Sequence, residues 1–176
     1  MSTTRRVPRP GTDEHAEYYA RYVAQVEDDA LEALRGLARS TPALLSGATG
    51  EQAAFRYAPG KWSVRQVVGH VCDVERVFAY RALRIARADA TPLPGFDEDA
   101  WAASSNADDR SLTDLVAEYR AVRAATLALF ESFDDAAFAR RGTANGHPIS
   151  VRALAYVIAG HERAHVTMLR ERYGLV

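Results

Sequence analysis

The residues of this chain best suited to chemistry are five histidines: His15, His70, His147, His161 and His165. The last two stand four residues apart in HERAH. On a helix, at about 100° per residue, they project about 40° apart on one face, one turn above the other. That spacing lets two imidazoles share one metal ion. Leu154 and Ile158 precede them on the same stripe and Met168 follows, so the pair faces a packed interior and not water. An interior imidazole has two ring nitrogens to satisfy. Two readings stay open: core histidines bonded to backbone or carboxylates, or ligands of a cation. His70 is the candidate third ligand, on the flank of the stripe Val67, Val74, Val77 of an earlier helix. Three imidazoles would leave coordination positions free for water or substrate, as catalytic sites do.

HERAH also fits H-E-x-x-H, with Glu162 in the general-base position of a zinc peptidase. The longer peptidase motif needs a glycine and a histidine where Met168 and Glu171 stand, and no sheet is expected to align a peptide. Glu162 remains a candidate to hold or deprotonate a water at the metal; otherwise it is a solvated surface carboxylate. Asp73, three residues after His70, is a candidate to hold the second ring nitrogen or to accept a proton. Arg81 and Arg84 lie on the His70 side and could clasp a substrate carboxylate; the alternative is ion pairing with Asp73 or Glu75. Cys72 is about 200° round the helix from His70 and reads as packing. His15 and His147 are expected to be exposed. Trp62 and Trp101 read as core or rim anchors, Trp62 stapling a helix start.

Helices must position these groups. Ala, Leu, Arg and Glu dominate from Asp13 onward, and Val67, Val71, Val74 and Phe78 repeat at helical spacing. A first helical region is expected over about 13–47, weakened or broken around Gly36 and Ser40–Pro42. Ser63 with Gln66 is a capping box that opens a second helix to about Ala88. TPLPGF breaks the chain, and a short helix fits 97–104. Ser111 caps a third long helix to about Phe133, DDAAFAR adds a turn, GTANGHP reads as loop, and Ser150 caps a last helix to about Tyr173 with Gly174 after it. Residues 1–11 read as a disordered or extended tail with little to bury, leaving 12–176 as one domain. The expected fold is all-α, a four-helix bundle with one long crossover.

Composition narrows the function. Of 176 residues 48% are apolar and 26% charged, which excludes a disordered chain. Twenty-two basic against 23 acidic residues give a net charge of -1, which disfavours nucleic-acid or membrane binding by bulk charge. The single cysteine excludes a disulfide within the chain and a cysteine zinc cage, and suits a cytoplasmic location. The N-terminal segment lacks the apolar stretch of a secretory signal, and no uncharged run is long enough to span a membrane.

YAPGKWSVRQVVGHVCDVERVFAYRALRIARADATPLPGFDEDAW, then SLTDLVAEYRAVRAATLALF, then GTANGHPISVRALAYVIAGHERAHVTMLRERY together resemble the DinB-like superfamily. The resemblance runs from about Tyr18 to the end and is nearest the DinB_2 branch, which includes bacillithiol and mycothiol S-transferases. It implies an up-down-down-up four-helix bundle and a metal triad matching His70, His161 and His165. It also implies a homodimer and a small-molecule substrate. Relatives often carry two adjacent histidines at the motif's end, where this chain has Ala164 and His165. The ion expected is Zn²⁺ or Ni²⁺ before Fe²⁺ or Mn²⁺. The leading activity is transfer of a low-molecular-weight thiol, bacillithiol or mycothiol, activated as a metal-bound thiolate. The runners-up are a metal-dependent hydrolase, with Glu162 or Asp73 taking the proton, and a non-catalytic metal-binding stress-response protein.

Overall fold

The computed structural model describes residues 6–27 and 29–176. Four long helices make the body: α2 (Ala30–Ser46), α4 (Val64–Ala86), α6 (Leu112–Glu131) and α8 (Val151–Tyr173). Between them lie α1 (Ala20–Ala24), α3 (Gly50–Ala54), α5 (Glu98–Ser104), α7 (Asp135–Ala139) and the strands β1 (Arg141–Ala144) and β2 (His147–Ser150). Both α2 and α4 pack against both α6 and α8, so α2 and α4 occupy opposite corners of a four-helix bundle. The neighbours α4 and α6 are joined by the long crossover 87–111. No described helix is long and apolar enough to cross a membrane.

The long helices start where side chains replace the missing hydrogen bonds of the first turn. Ser63 accepts from the Gln66 amide while the Gln66 side chain reaches back, closing the box that opens α4. Ser111 and Ser150 cap α6 and α8 with their hydroxyls alone, accepting from the Asp114 and Ala153 amides, and α8 ends on Gly174 in the left-handed region (φ 68°).

The first helical region departs from expectation. Its break falls at 25–29, and α2 runs unbroken through Gly36 and Pro42. Propensity costs there are about 1 kcal/mol for Gly and about 3 for Pro. They are outweighed by the buried stripe Leu31, Leu34, Leu37, Leu44, Leu45, in which Pro42 itself is buried. Asp29 sets the start instead, accepting from the amides of Leu31 and Glu32.

Residues 6–11 lie across this break without regular secondary structure, while 1–5 of the expected tail lie outside the described residues. Val7 is buried, its amide donates to Asp29, and Arg9 caps the carbonyls of Val23 and Val26 at the end of α1. His15, expected at the surface, is buried with Nδ1 2.9 Å from the Ala16 carbonyl. Segment 141–150, expected as loop, is an antiparallel hairpin. Asn145 (φ 51°) and Gly146 (φ 76°) form its turn, and Leu93 of the crossover bonds to Thr143 and Asn145.

The apolar core of the described residues has two large parts and a small one, Val71, Cys72, Tyr119 and Val122, between α4 and α6. One large part fills the end built by residues 74–86 of α4 and 151–159 of α8; the other fills the end of Val64, Val67, Leu115 and Leu169. A layer of polar side chains crosses the bundle between them.

Candidate metal centre

His70 on α4 and His161 and His165 on α8 occupy one half of that layer. The Nε2 atom of His161 lies 3.1 Å from Nε2 of His70 and 3.1 Å from Nε2 of His165. One nitrogen from each ring falls within 4.8 Å of the others. Around a tetrahedral ion with bonds of about 2.1 Å, nitrogen ligands stand about 3.4 Å apart, so the spacing suits one cation. Trp62 packs on His70 with ring centroids 4.6 Å apart, and Tyr22 meets His161 edge-on at 5.4 Å.

Charge state favours the same use. Burial, with a contribution from His165, lowers the His70 pKa to about 3. Burial, then Arg21, lowers that of His165 to about 4, and burial takes His161 well below its usual value. All three rings are therefore neutral at neutral pH. Nε2 of His161 carries either one proton or one lone pair, so it can make only one of its two nitrogen contacts a well-formed hydrogen bond. The Nδ1 atom of His165 is buried without a partner. Three neutral nitrogens converging at a largely buried spot are a poor hydrogen-bond set and a good ligand set for a divalent ion.

Close approach of α1 to α8 holds Tyr22 in place. Gly160 makes that approach possible, since a Cβ there would stand 1.9 Å from the Tyr22 carbonyl oxygen. Two cavities reach the cluster. A cleft of about 640 Å³ is lined by His165, Trp62, Met168, Tyr57, Arg56 and Lys61, among others. A smaller one of about 190 Å³ is lined by His161, Tyr22, Phe78, Arg81 and Phe96, among others.

The other expected site residues do not join the histidines. Glu162 is 1% exposed, neither a solvated carboxylate nor a free base. One step of about 100° along α8 turns it away from His161. Its Oε1 accepts from Thr41 and Tyr119, both at 2.6 Å, and Oε2 takes Arg123. Asp73 is bonded to Arg76 and not to His70; burial raises its pKa and Arg76 opposes that. Arg84 turns outward to Asp89 and Tyr80. Arg81 lines the smaller cavity alongside His161.

Of the second half of the polar layer, the sequence singled out Glu162 for another role, and Arg123 not at all. Arg123, 1% exposed, bonds Glu75 in bidentate fashion (2.8 and 2.7 Å), Glu162, Tyr119 and the Leu34 carbonyl. Burial works against its charge, but Glu162 and Glu75 raise its pKa above the ordinary arginine value. The available signal was a glutamate and an arginine on the buried stripes of two different helices.

Residues 30–169 match the DinB superfamily. The chain belongs to that superfamily. A Geobacillus kaustophilus protein named as a candidate metal-dependent hydrolase is 31% identical over 147 residues, covering 81% of this chain and 83% of its own. A Geobacillus thermodenitrificans protein named in the same terms is 31% identical over 164 residues, covering 88% and 90%. YfiT from Bacillus subtilis superposes with a TM-score of 0.69 at 21% identity, covering 96% of this chain and 95% of that one. It is described as a probable metal-dependent hydrolase with an unusual four-helix bundle topology. The likeness shows the fold that this DinB-superfamily chain shares with it, a four-helix bundle.

Proposed function

We propose that this DinB-superfamily protein is a metal-dependent hydrolase, its divalent ion held by His70, His161 and His165. The observation that carries the reading is the convergence of three neutral imidazoles, with one cavity lined by His165 and another by His161. The names of the relatives from the two Geobacillus species support the reaction class. A divalent ion in such a triad supplies Lewis acidity, lowering the pKa of water or a thiol enough to give a nucleophile near neutral pH. Zn²⁺ and Ni²⁺ suit an all-imidazole set best. The chain supplies the rest. Trp62 and Tyr22 fix the rings of His70 and His161 and shield them from bulk water. No carboxylate joins the imidazoles among the described residues, so neither Glu162 nor Asp73 is assigned the proton.

A second reading, thiol S-transfer from bacillithiol or mycothiol, is favoured by the larger cleft. At about 640 Å³ it has room for a cosubstrate besides the reacting group, and Arg56 and Lys61 on its wall suit an acidic one.

Elemental analysis of tag-free protein tests the centre. One equivalent of metal is expected, lost in His161→Ala and kept in His147→Ala, whose ring is exposed. Full metal in the first variant would sink the assignment. Turnover of an ester and amide panel by the metal-loaded protein without thiol favours hydrolysis. Turnover of a model electrophile only when bacillithiol or mycothiol is added transfers the case to the second reading.

A further inference from the structure

Two arginines are buried in this bundle to nearly the same degree, Arg123 at 1% and Arg81 at 2% exposure, and the fold treats them in opposite ways. Arg123 is matched by two carboxylates. Arg81 has none within ion-pair distance among the described residues. One terminal nitrogen donates to the Pro94 carbonyl at 2.6 Å, and the Tyr19 hydroxyl is a second, neutral partner. Its guanidinium stacks near Phe78 (5.4 Å to the ring centre) and Phe96 (5.7 Å). A carbonyl, a phenol hydroxyl and two aromatic faces offset part of the cost of taking a cation out of water, but they do not neutralise it. This side chain opens on the cavity of about 190 Å³ that His161 also lines. Glu98, the one carboxylate on that wall, is exposed and forms no ion pair with it.

The cavity is a built one. Its outer wall is the crossover at Gly95 and Phe96 clamped against Asn145 at the hairpin tip. The contact is tight enough that a Cβ on Gly95 would stand 2.2 Å from the Asn145 side chain. Its volume is below the about 300–1,000 Å³ of pockets that engulf a drug-sized ligand, so it suits a small acid or one end of a larger one.

We propose that this cavity is a carboxylate subsite, in which Arg81 binds the acid group of a small organic acid and directs the remainder of the molecule toward His161. The planar guanidinium fork matches a carboxylate in two parallel bonds, and the aromatic faces hold it in one plane. The direction toward a reaction centre rests on the metal-centre reading; the binding of the acid does not.

The test therefore begins with chelator-treated full-length protein and repeats with zinc. Backbone amide shifts of Tyr22, Gly95 and Asn145 are followed while sodium acetate, acetamide or inorganic phosphate is added. Acetate is expected to give a saturable shift without zinc, and uncharged acetamide none. Arg81→Gln is expected to weaken acetate at least about tenfold, the loss of a charge-assisted pair. Arg81→Lys, which keeps the charge and loses the fork, is expected to fall between. Arg84→Gln is expected to bind as the unaltered chain does. Equal binding in Arg81→Gln, absence of saturation in the unaltered chain, or saturation by phosphate alone would each overturn the proposal. So would acetate binding that needs zinc and ignores Arg81, because the ion would then be the anchor. Retention of metal in His161→Ala would overturn the centre and leave the zinc-free titration standing. The acetate and acetamide comparison needs no variant, so a misfolded Arg81→Gln would not rescue the idea.

Discussion

Replacing Arg123 with Met is expected to be the most damaging single change outside the imidazole cluster. The guanidinium makes five hydrogen bonds, three of them to Glu75 and Glu162, which are 2% and 1% exposed. Met fills similar space, so the loss is electrostatic and not a cavity. Two carboxylates would remain in a dry interior, and only Glu162 would keep partners, the hydroxyls of Thr41 and Tyr119. Burial and the Glu162 carboxylate push the Tyr119 hydroxyl up, so it stays a donor and cannot neutralise the pair. Breaking a buried pair from one side costs about 3–5 kcal/mol, against about 5–15 for a whole domain. With a urea slope of about 2 kcal/mol per molar, the midpoint should fall by roughly 2 M. Adding Glu75→Gln and Glu162→Gln to the variant should recover part of that loss, because the stranded charges go with them. A midpoint lowered by less than roughly 0.5 M, on the same slope, would refute the reasoning. So would a triple variant weaker than the single one.

Glu14 carries a pH dependence of definite sign. Burial opposes its charge, but Arg152, the Gly11 amide and Ser150 hold its pKa at about 2 against an ordinary 4.5. Its contribution, up to about 3 kcal/mol, is complete above the unfolded value and is lost as the pH falls from about 4.5 toward 2. Glu14→Gln should lower the urea midpoint at pH 7 and flatten its decline in that window; an unchanged acid profile would contradict the pairing. Gly160→Ala should push α1 off α8, since a Cβ would meet the Tyr22 carbonyl at 1.9 Å. A cost of about 1–3 kcal/mol is expected, with altered aromatic circular dichroism as Tyr22 leaves His161; an undisturbed melting curve would oppose it.

The bundle helices were legible because their signals are local. Ser63 with Gln66, Ser111, Ser150 and Gly174 mark ends within a few residues, and the valine stripe fixes the inward face of α4. The spacing of His161 and His165, with His70 on that face, named the cluster the bundle brings together. The rest depended on partners distant in sequence. The four-residue strands carry little alternation of their own and are paired with Leu93; only the Asn145–Gly146 dipeptide announced a turn. Glu162 was read as a base at the metal or a surface carboxylate, because its partners Thr41, Tyr119 and Arg123 follow from which helices are neighbours. The break before α2 was misplaced because Gly36 and Pro42 were weighed as propensities, while Asp29 caps the helix and also takes the Val7 amide.

The two halves of the polar layer explain each other. His161 and Glu162 are consecutive on α8, one facing the imidazole cluster, the other the Arg123 network. Successive side chains diverge by about 100°, so fixing Glu162 through Thr41 on α2 and Arg123 on α6 fixes the rotation of α8 and the aim of His161. Without an ion the cluster is unfavourable, because neutral nitrogens face one another; the network and the two apolar ends must hold it in register. A metal that only stiffens the bundle would therefore be redundant, since a chain of this length already buries its two large apolar clusters without one. Removal of the ion should leave the helical circular dichroism intact. The melting temperature should drop only as mass action requires, with a size that follows free metal concentration. Collapse of the helical signal on chelation would mean that the ion builds the layer rather than occupies it.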